Sequence, residues 1–283
     1  MTKVAAVVLS WNGREDTLAC LRSLEGEDVD VIVVDNASED GTAEAVTGAE
    51  VIRNERNLGY AGGMNVGIRR ALALGADAVL LLNNDVEVEP GAIHALAAAA
   101  EGAGAVCPVV VFGHDPDRVW YSGANFNPRR GYNGRQLTDW IDTPTATDRI
   151  CGAAVLIPRT ALEAVGTFDE DLFAYAEDAD WSLRARKLGL PLLVVPDGTV
   201  RHKVSASTGG EGSPDALYYS TRNLLAVCER HAPLGALGTW RRRLVAIAAL
   251  LAQAVTGKRR RAGVKAVLEG WRDFRRGRFG PRR

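Results

Sequence analysis

The densest chemistry in this chain sits at polar positions that close apolar runs. Residues 79–82 read Val-Leu-Leu-Leu, and the run ends abruptly in Asn83-Asn84-Asp85. A carboxylate at the end of a buried strand suits a hard metal ion carrying phosphate oxygens; a polar turn after a core strand is the other reading. Asp35 closes the run 31–34 and is followed by Asn36 and Ser38. There a carboxylate accepts hydrogen bonds from a base N–H or a ribose hydroxyl, or caps the next helix. The stretch Asn57-Leu58-Gly59-Tyr60-Ala61-Gly62-Gly63-Met64-Asn65 puts glycines at a helix start. Such a start lets a backbone approach a ligand and favours an anion, or simply packs tightly. Glu177, Asp178 and Asp180 open a further helix. Its dipole stabilises acids there, and one of them beside a hydroxyl would be a general base. His202, one of four histidines, is structural unless it meets Asp85 across a metal.

For these residues to converge, several strands must end on one edge of a sheet. Apolar runs at 4–9, 29–34, 50–53, 78–82 and 105–111 alternate with helical patterns at 16–24, from 43, at 59–74 and at 90–100. That alternation predicts an α/β fold with a parallel, doubly wound sheet, which binds ligands at the carboxyl ends of its strands. The first turn, Ser10-Trp11-Asn12-Gly13, is not the glycine fingerprint of a dinucleotide-binding Rossmann fold. Residues 112–149, rich in Gly, Asn, Asp, Pro and aromatics, have no period and predict an irregular lobe. A strand at 153–157, helices at 160–165 and 177–188, a strand at 192–195 and a helix at 214–231 follow, with His202 beyond the strand and its turn.

The net charge of −1 on 283 residues hides an asymmetry, because residues 241–283 carry 14 Lys/Arg against 2 Asp/Glu. The remainder is acidic, which disfavours nucleic acid as a partner. In the basic tail, Leu244, Ile247, Ala248, Leu251 and Val255, then Val264, Val267, Leu268, Trp271 and Phe274, recur at helical spacing. Basic amphipathic helices suit an anionic membrane surface; packing on the body is the alternative. Cys20, Cys107, Cys151 and Cys228 form no CxxC pair, so neither zinc nor a disulfide framework is indicated. No basic leader precedes the first strand and no apolar run reaches bilayer length. The expected location is the cytoplasm, with the tail against the inner face of the cell membrane.

In their order along the chain, Ser10-Trp11-Asn12, Asp35-Asn36-x-Ser38, Asn57-x-Gly59 with Gly62 and Asn65, Asn83-x-Asp85, Gly152-Ala153-Ala154, Glu177-Asp178-x-Asp180 with Arg184, His202, and Tyr218-Tyr219-x-x-x-Asn223 with Arg222 resemble the family 2 inverting glycosyltransferases, most of all the rhamnosyltransferase-like subgroup. The resemblance spans roughly residues 4–230. It implies a GT-A fold, with a Rossmann-like, mostly parallel sheet, an irregular acceptor lobe and a basic helical C-terminal tail. Residues 1–240 would form the transferase domain, 1–111 its nucleotide-binding half and 112–240 its acceptor-binding half, with 241–283 as the tail.

The resemblance also assigns roles. Ser10, Trp11, Asn12 and Asp35 would hold the base and ribose of a nucleoside diphosphate sugar, linked through dTDP, UDP or GDP. Asn57, Gly59 and Asn65 would shape the floor under the nucleotide, and Asn36, Asn83, Asn84, Glu177 and Arg222 would join the substrate-binding set. Gly152 and Ala153 would meet the acceptor, whether glycan, lipid-linked or small molecule. Asp85 and His202 would ligate Mg²⁺ or Mn²⁺. Asp178 would be the catalytic base, its pKa raised by Glu177 and Asp180. The expected activity is transfer of a sugar such as rhamnose in polysaccharide or glycoconjugate synthesis. Asn83 stands where the family often has a second aspartate, so the metal is expected to arrive with the nucleotide. A GT-A domain that binds nucleotide or glycan without turnover is the alternative. A nucleotidyltransferase would need a basic loop after the first strand, where only Arg14 stands.

Overall fold

Strands covered by helices on both faces must be apolar throughout, and the fully buried stretch Ala78–Leu82 obeys this at the centre of the molecule. The structure, a computed structural model, describes residues 2–131, 134–204 and 212–283; residues 132 and 133 of the expected lobe lie outside the described residues. The first half alternates as expected: β1 (Val4–Ser10), α1 (Arg14–Ser23), β2 (Val29–Asp35), α2 (Thr42–Ala45), β3 (Glu50–Arg53), α3 (Gly59–Ala73), β4 (Ala78–Asn83), β5 (Val86–Val88), α4 (Ala92–Ala98) and β6 (Ala105–Phe112). The lobe holds β7 (Asp115–Tyr121) and three two-residue strands, β8 (Ala124–Asn125), β9 (Arg135–Gln136) and β10 (Thr145–Ala146). Then come β11 (Ala154–Pro158), α5 (Arg159–Val165), α6 (Glu177–Lys187), β12 (Leu192–His202), α7 (Pro214–His231), α8 (Ala236–Thr256) and α9 (Arg260–Arg275).

The large sheet runs β10-β12-β6-β11-β4-β1-β2-β3, with β5 beside β12 and β7 beside β6. Strands β3, β2, β1 and β4 are parallel. Two features depart from the sequence reading. β11 lies antiparallel between β4 and β6, because the chain returns to the sheet from the lobe, and a local hydrophobic pattern does not encode that direction. β12 does not stop at Val195; it slips register and resumes at Val200. Pro196 has no N–H for the ladder, and β5 supplies a second partner that carries the strand to His202.

Register positions the chemistry. Ser10 lies opposite Asp35, Leu9 opposite Asn83 and Arg53 opposite Asp35, so four strands finish on one edge. Helix α3 presses close beneath them: a Cβ on Gly63 would sit 2.4 Å from Leu9 Cδ1. The tight-packing reading of the later glycines is therefore realised.

The basic C-terminal region is part of the body. Its compositional boundary at 241 falls inside α8. Leu217, Tyr218, Tyr219, Ala254, Ala266 and Val267 form one buried cluster joining α7, α8 and α9. Tyr218 donates its hydroxyl to Asp273 at 2.9 Å, and Arg222 donates to the Gly280 carbonyl at 2.6 Å. Among the described residues no helix is long and apolar enough to cross a membrane.

Candidate active site

A cavity of about 440 Å³ opens at the ends of β4 and β12. It brings together Asn83, Asp85, Gly152, Ala153, Glu177, Asp178 and His202. The turn after β4 carries Asp85, and β5 folds that turn back onto β12. The Lys203 N–H donates to the Asp85 carbonyl at 3.0 Å, and His202 Nε2 lies 3.1 Å from Asp85 Oδ1. Both side chains are buried, with the Trp120 ring edge-on to the imidazole at 4.7 Å. Among the described residues buried His202 Nδ1 has no hydrogen-bond partner, and buried polar atoms of that kind are rare.

An imidazole nitrogen and a carboxylate oxygen so close together fit a divalent cation that accepts both donor types, as Mn²⁺ does. Among the described residues no group of three His, Cys, Asp or Glu side chains gathers. This pair would hold such an ion only with further oxygens from a phosphate-bearing ligand.

The acidic wall is built on strained backbone. Phe173, Tyr175 and Ala176 all have positive φ, a conformation that costs energy for residues with side chains and persists only when the surroundings enforce it. The enforcers come from α7 and α3. The Asn223 amide donates to the carbonyls of Leu172, Ala174 and Tyr175 at 2.7, 2.8 and 2.8 Å. Fully buried Arg222 donates to the Leu172 carbonyl at 3.0 Å, and the Ala61 N–H donates to the Phe173 carbonyl at 3.1 Å. At Gly59, with φ of +74°, a Cβ would lie 2.3 Å from the Phe173 oxygen. Arg222 and Gly59, expected at the nucleotide, instead hold the loop that presents Glu177 and Asp178.

The two acids differ. Burial, and then the charge of Asp178, push the Glu177 carboxyl up to about 8. Glu177 is therefore largely protonated near neutral pH and is a poor base there. Asp178 is partly exposed to the cavity; it accepts the Ala179 N–H at 2.7 Å and lies 3.6 Å from Arg149 Nε. Asp180 points away, into Arg184, Arg230 and His231 at 2.8, 3.1 and 2.8 Å. Burial raises its pKa, but the His231 hydrogen bond and the Arg184 charge outweigh burial and hold it below the usual range. Within this acidic trio, the charges of Asp178 and Asp180 add to burial in raising Glu177.

A consequence is measurable. Unfolded, Glu177 ionises near the ordinary glutamate value of 4.5; folded, it keeps its proton to about 8. Fold stability is therefore lost across that window as pH rises. Glu177→Gln is expected to add little stability at pH 4 and most at pH 8 or above, by on the order of 5 kcal/mol at the plateau, read as a rise in Tm that grows with pH. An equal gain at both pH values would contradict the buried-acid assignment.

Asp35, Asn36, Asn57, Ser10 and Asn84 form a hydrogen-bonded frame that does not line this cavity. The Asp35 carboxylate is buried, accepts the Ser38 N–H at 3.3 Å and faces Arg53 Nε at 3.4 Å. Asn36 bonds Asn57, Asn54 and the backbone of Leu58 and Gly59. The Ser10 hydroxyl is 2.8 Å from that of Thr17, and the Asn84 amide donates to the Asn12 carbonyl and to Thr17. Ser10 and Asn84 thus shape the first loop from within. The Asn65 amide is buried between Phe168 and Glu170, 2.9 to 3.0 Å from its partners, so it braces α3 against the segment before α6 from within. Trp11 remains 45% exposed, and Asn12 partly so.

Sequence reasoning missed Tyr60, Trp120, Gln136, Arg149, Leu250 and Gln253, all of which line the cavity. Tyr60, which donates to the Gly152 carbonyl, stood inside the glycine-rich run and was open to detection. No local pattern marks the others.

The Glycosyl transferase family 2 description matches residues 6–166. The chain is 30% identical over 259 residues to the N-acetylglucosaminyl-diphospho-decaprenol L-rhamnosyltransferase of Mycobacterium tuberculosis, covering 80% of this chain and 82% of that protein. It is 26% identical to the dTDP-rhamnosyl transferase RfbF of Shigella flexneri over 82% of each chain. It is 32% identical to the galactofuranosyltransferase GlfT1 of Mycolicibacterium smegmatis over 66% of this chain and 67% of that one. In fold it resembles S. aureus TarS residues 1–349 in complex with UDP-GlcNAc, with a TM-score of 0.54, 17% identity and coverage of 98% and 93%. It also resembles GalNAc-T7 with UDP, GalNAc and Mn²⁺, with a TM-score of 0.64 and 15% identity, spanning 98% of this chain but 56% of that one. A family match across more than half of the chain, joined to 30% identity over four-fifths of it, makes this protein a member of glycosyltransferase family 2, rhamnosyltransferase-like and built on the GT-A fold.

Proposed function

We propose that this glycosyltransferase moves rhamnose, with inversion, from a dTDP-linked donor to a hydroxyl of a glycan carried on a lipid diphosphate, in cell wall polysaccharide synthesis. The observation that carries the reading is one cavity shared by the Asp85–His202 pair and the partly exposed carboxylate Asp178, with Glu177 beside it held protonated. The M. tuberculosis decaprenol-linked rhamnosyltransferase and the S. flexneri dTDP-rhamnosyl transferase favour rhamnose, dTDP and a lipid-linked acceptor.

On this reading Asp178 removes the acceptor proton as the acceptor oxygen attacks the anomeric carbon, opposite the departing diphosphate. Arg149 orients Asp178 and keeps its charge inside a half-buried wall. Glu177, protonated, offers a hydrogen-bond donor to a sugar oxygen. Asp85 and His202 would hold Mg²⁺ or Mn²⁺, which neutralises charge on a leaving diphosphate when bound. Trp11 and Asn12, on the frame anchored by Asp35, Asn36 and Asn57, meet the base and ribose. Residues 1–111 form the donor half; the acceptor half begins at 112 and continues into α8. A lipid-linked acceptor places the enzyme at the inner face of the cell membrane.

A thermal-shift panel tests the donor. Stabilisation grows with the ratio of ligand concentration to Kd. With Mn²⁺ present, dTDP and dTDP-rhamnose are expected to raise Tm more than UDP, GDP and their sugars. A larger shift with a UDP- or GDP-sugar would overturn the dTDP assignment.

A further inference from the structure

Helix α8 has two working faces. On the inner one, Ile247 and Leu250 pack into the cluster shared with α7 and α9, and Leu250 with Gln253 reaches the wall of the cavity that holds Asp178. On the outer one, Leu237, Trp240, Leu244, Val245 and Val255 are 78, 60, 48, 45 and 41% exposed. At about 100° per residue these five project within an arc of roughly 140°. Ala248 and Ala252, also exposed, fill the spaces between them. The strip is about 27 Å long at 1.5 Å per residue.

An apolar strip of that extent marks an interaction surface. Its charge surroundings name the partner. No Asp or Glu occurs between Glu229 and Glu269, while exposed Arg241 stands near one end of the strip and exposed Lys258, Arg259, Arg260 and Arg261 at the other. Apolar side chains flanked by cations match an anionic bilayer, with the apolar face in the acyl boundary and the cations among headgroups. A second copy on the same strip would set like charges against each other with no carboxylate to offset them.

Of the apolar stripe of α9, which the sequence offered equally, Leu268 alone is largely exposed, at 54%. Val267 is buried and Val264 packs into the cluster with α7, and Trp271 and Phe274 stack on each other beneath the Arg243 guanidinium.

We infer that α8 docks on an anionic membrane surface through Leu237, Trp240, Leu244, Val245 and Val255, and that this holds the cavity walled by the inner face of α8 close to the bilayer that carries the acceptor. The second half of that statement rests on the lipid-linked acceptor proposed above. Removing everything after Trp240 would not test it, because the cavity wall and the partners of Tyr218 and Arg222 would go too. The discriminating variant is Leu237→Glu with Leu244→Glu in the full chain, since neither residue lines the cavity.

Wild-type protein is expected to sediment with phosphatidylglycerol vesicles and at least ten-fold less with phosphatidylcholine vesicles, and the double variant is expected to lose at least ten-fold of its binding to the former. Transfer to a vesicle-borne lipid-diphosphate glycan should fall at least ten-fold in the variant, with transfer to a water-soluble short-chain analogue unchanged. Failure of wild-type protein to sediment, or a wild-type dimer that the variant splits, overturns the inference. If wild-type protein sediments but transfers to neither acceptor, the acceptor reading fails and the docking of α8 stands.

Discussion

Replacing Asp178 with Asn is expected to lower sugar transfer by about 10³-fold, within the range general base catalysis contributes, while nucleotide affinity stays within about two-fold. Asparagine keeps the shape, and its carbonyl oxygen can still accept the Ala179 N–H that Asp178 accepts at 2.7 Å. The presenting loop survives as well, because Asn223, Arg222 and Gly59 hold it through backbone carbonyls rather than through Asp178. What disappears is the α6 carboxylate that is partly exposed to the cavity: Asp180 is tied into Arg184, Arg230 and His231, and Glu177 keeps its proton to about 8. Single-turnover rates with isothermal titration of the nucleotide separate the two effects. Turnover like that of the wild type would remove Asp178 from the base role; parallel loss of nucleotide binding would point to a collapsed loop instead.

Asp85→Ala is expected to weaken nucleotide binding in Mn²⁺ by on the order of 10²-fold, to the level reached with chelator, and to leave the chelator-treated affinity as it was. Metal affinity falls steeply when a ligand is lost, and nothing nearby can substitute, since no third His, Cys, Asp or Glu joins the pair among the described residues. His202 would keep a buried ring with Nδ1 already unpartnered and the Asp85 contact gone. A modest fall in Tm is therefore expected too, and titration must be done below it. Calorimetry with and without Mn²⁺ decides the matter: metal-dependent binding that survives the substitution would end the assignment of Asp85.

Some parts of this site were legible in advance because they depend on neighbours in sequence. Strands β1 to β4 read correctly since burial on both faces demands unbroken apolar runs, and a polar residue ending such a run must lie at the sheet edge. Helix α7 begins at Pro214, where expected, because Ser213 accepts the Ala216 N–H and proline suits the first helical turn. Other parts had no local signature. His202 looked like a loop residue until β5, three residues long, was found to extend β12 past Pro196. Arg222 and Asn65 looked like ligand contacts because a motif conveys residue type without the direction of the side chain.

The amino-acid sequence by itself determined that acids and amides close the strands, that the fold is α/β, and that a carboxylate-rich helix start and a lone histidine lie downstream. Only the tertiary structure decided which acid is held protonated, which polar residues brace the loop, and that α8 serves as cavity wall with an exposed apolar back. Periodicity is written in residues a few positions apart, whereas desolvation, ion pairing and cavity walls arise where distant segments meet. Glu177 is buried against Tyr60 and Gly152, far from it in sequence, and its proton depends on that meeting.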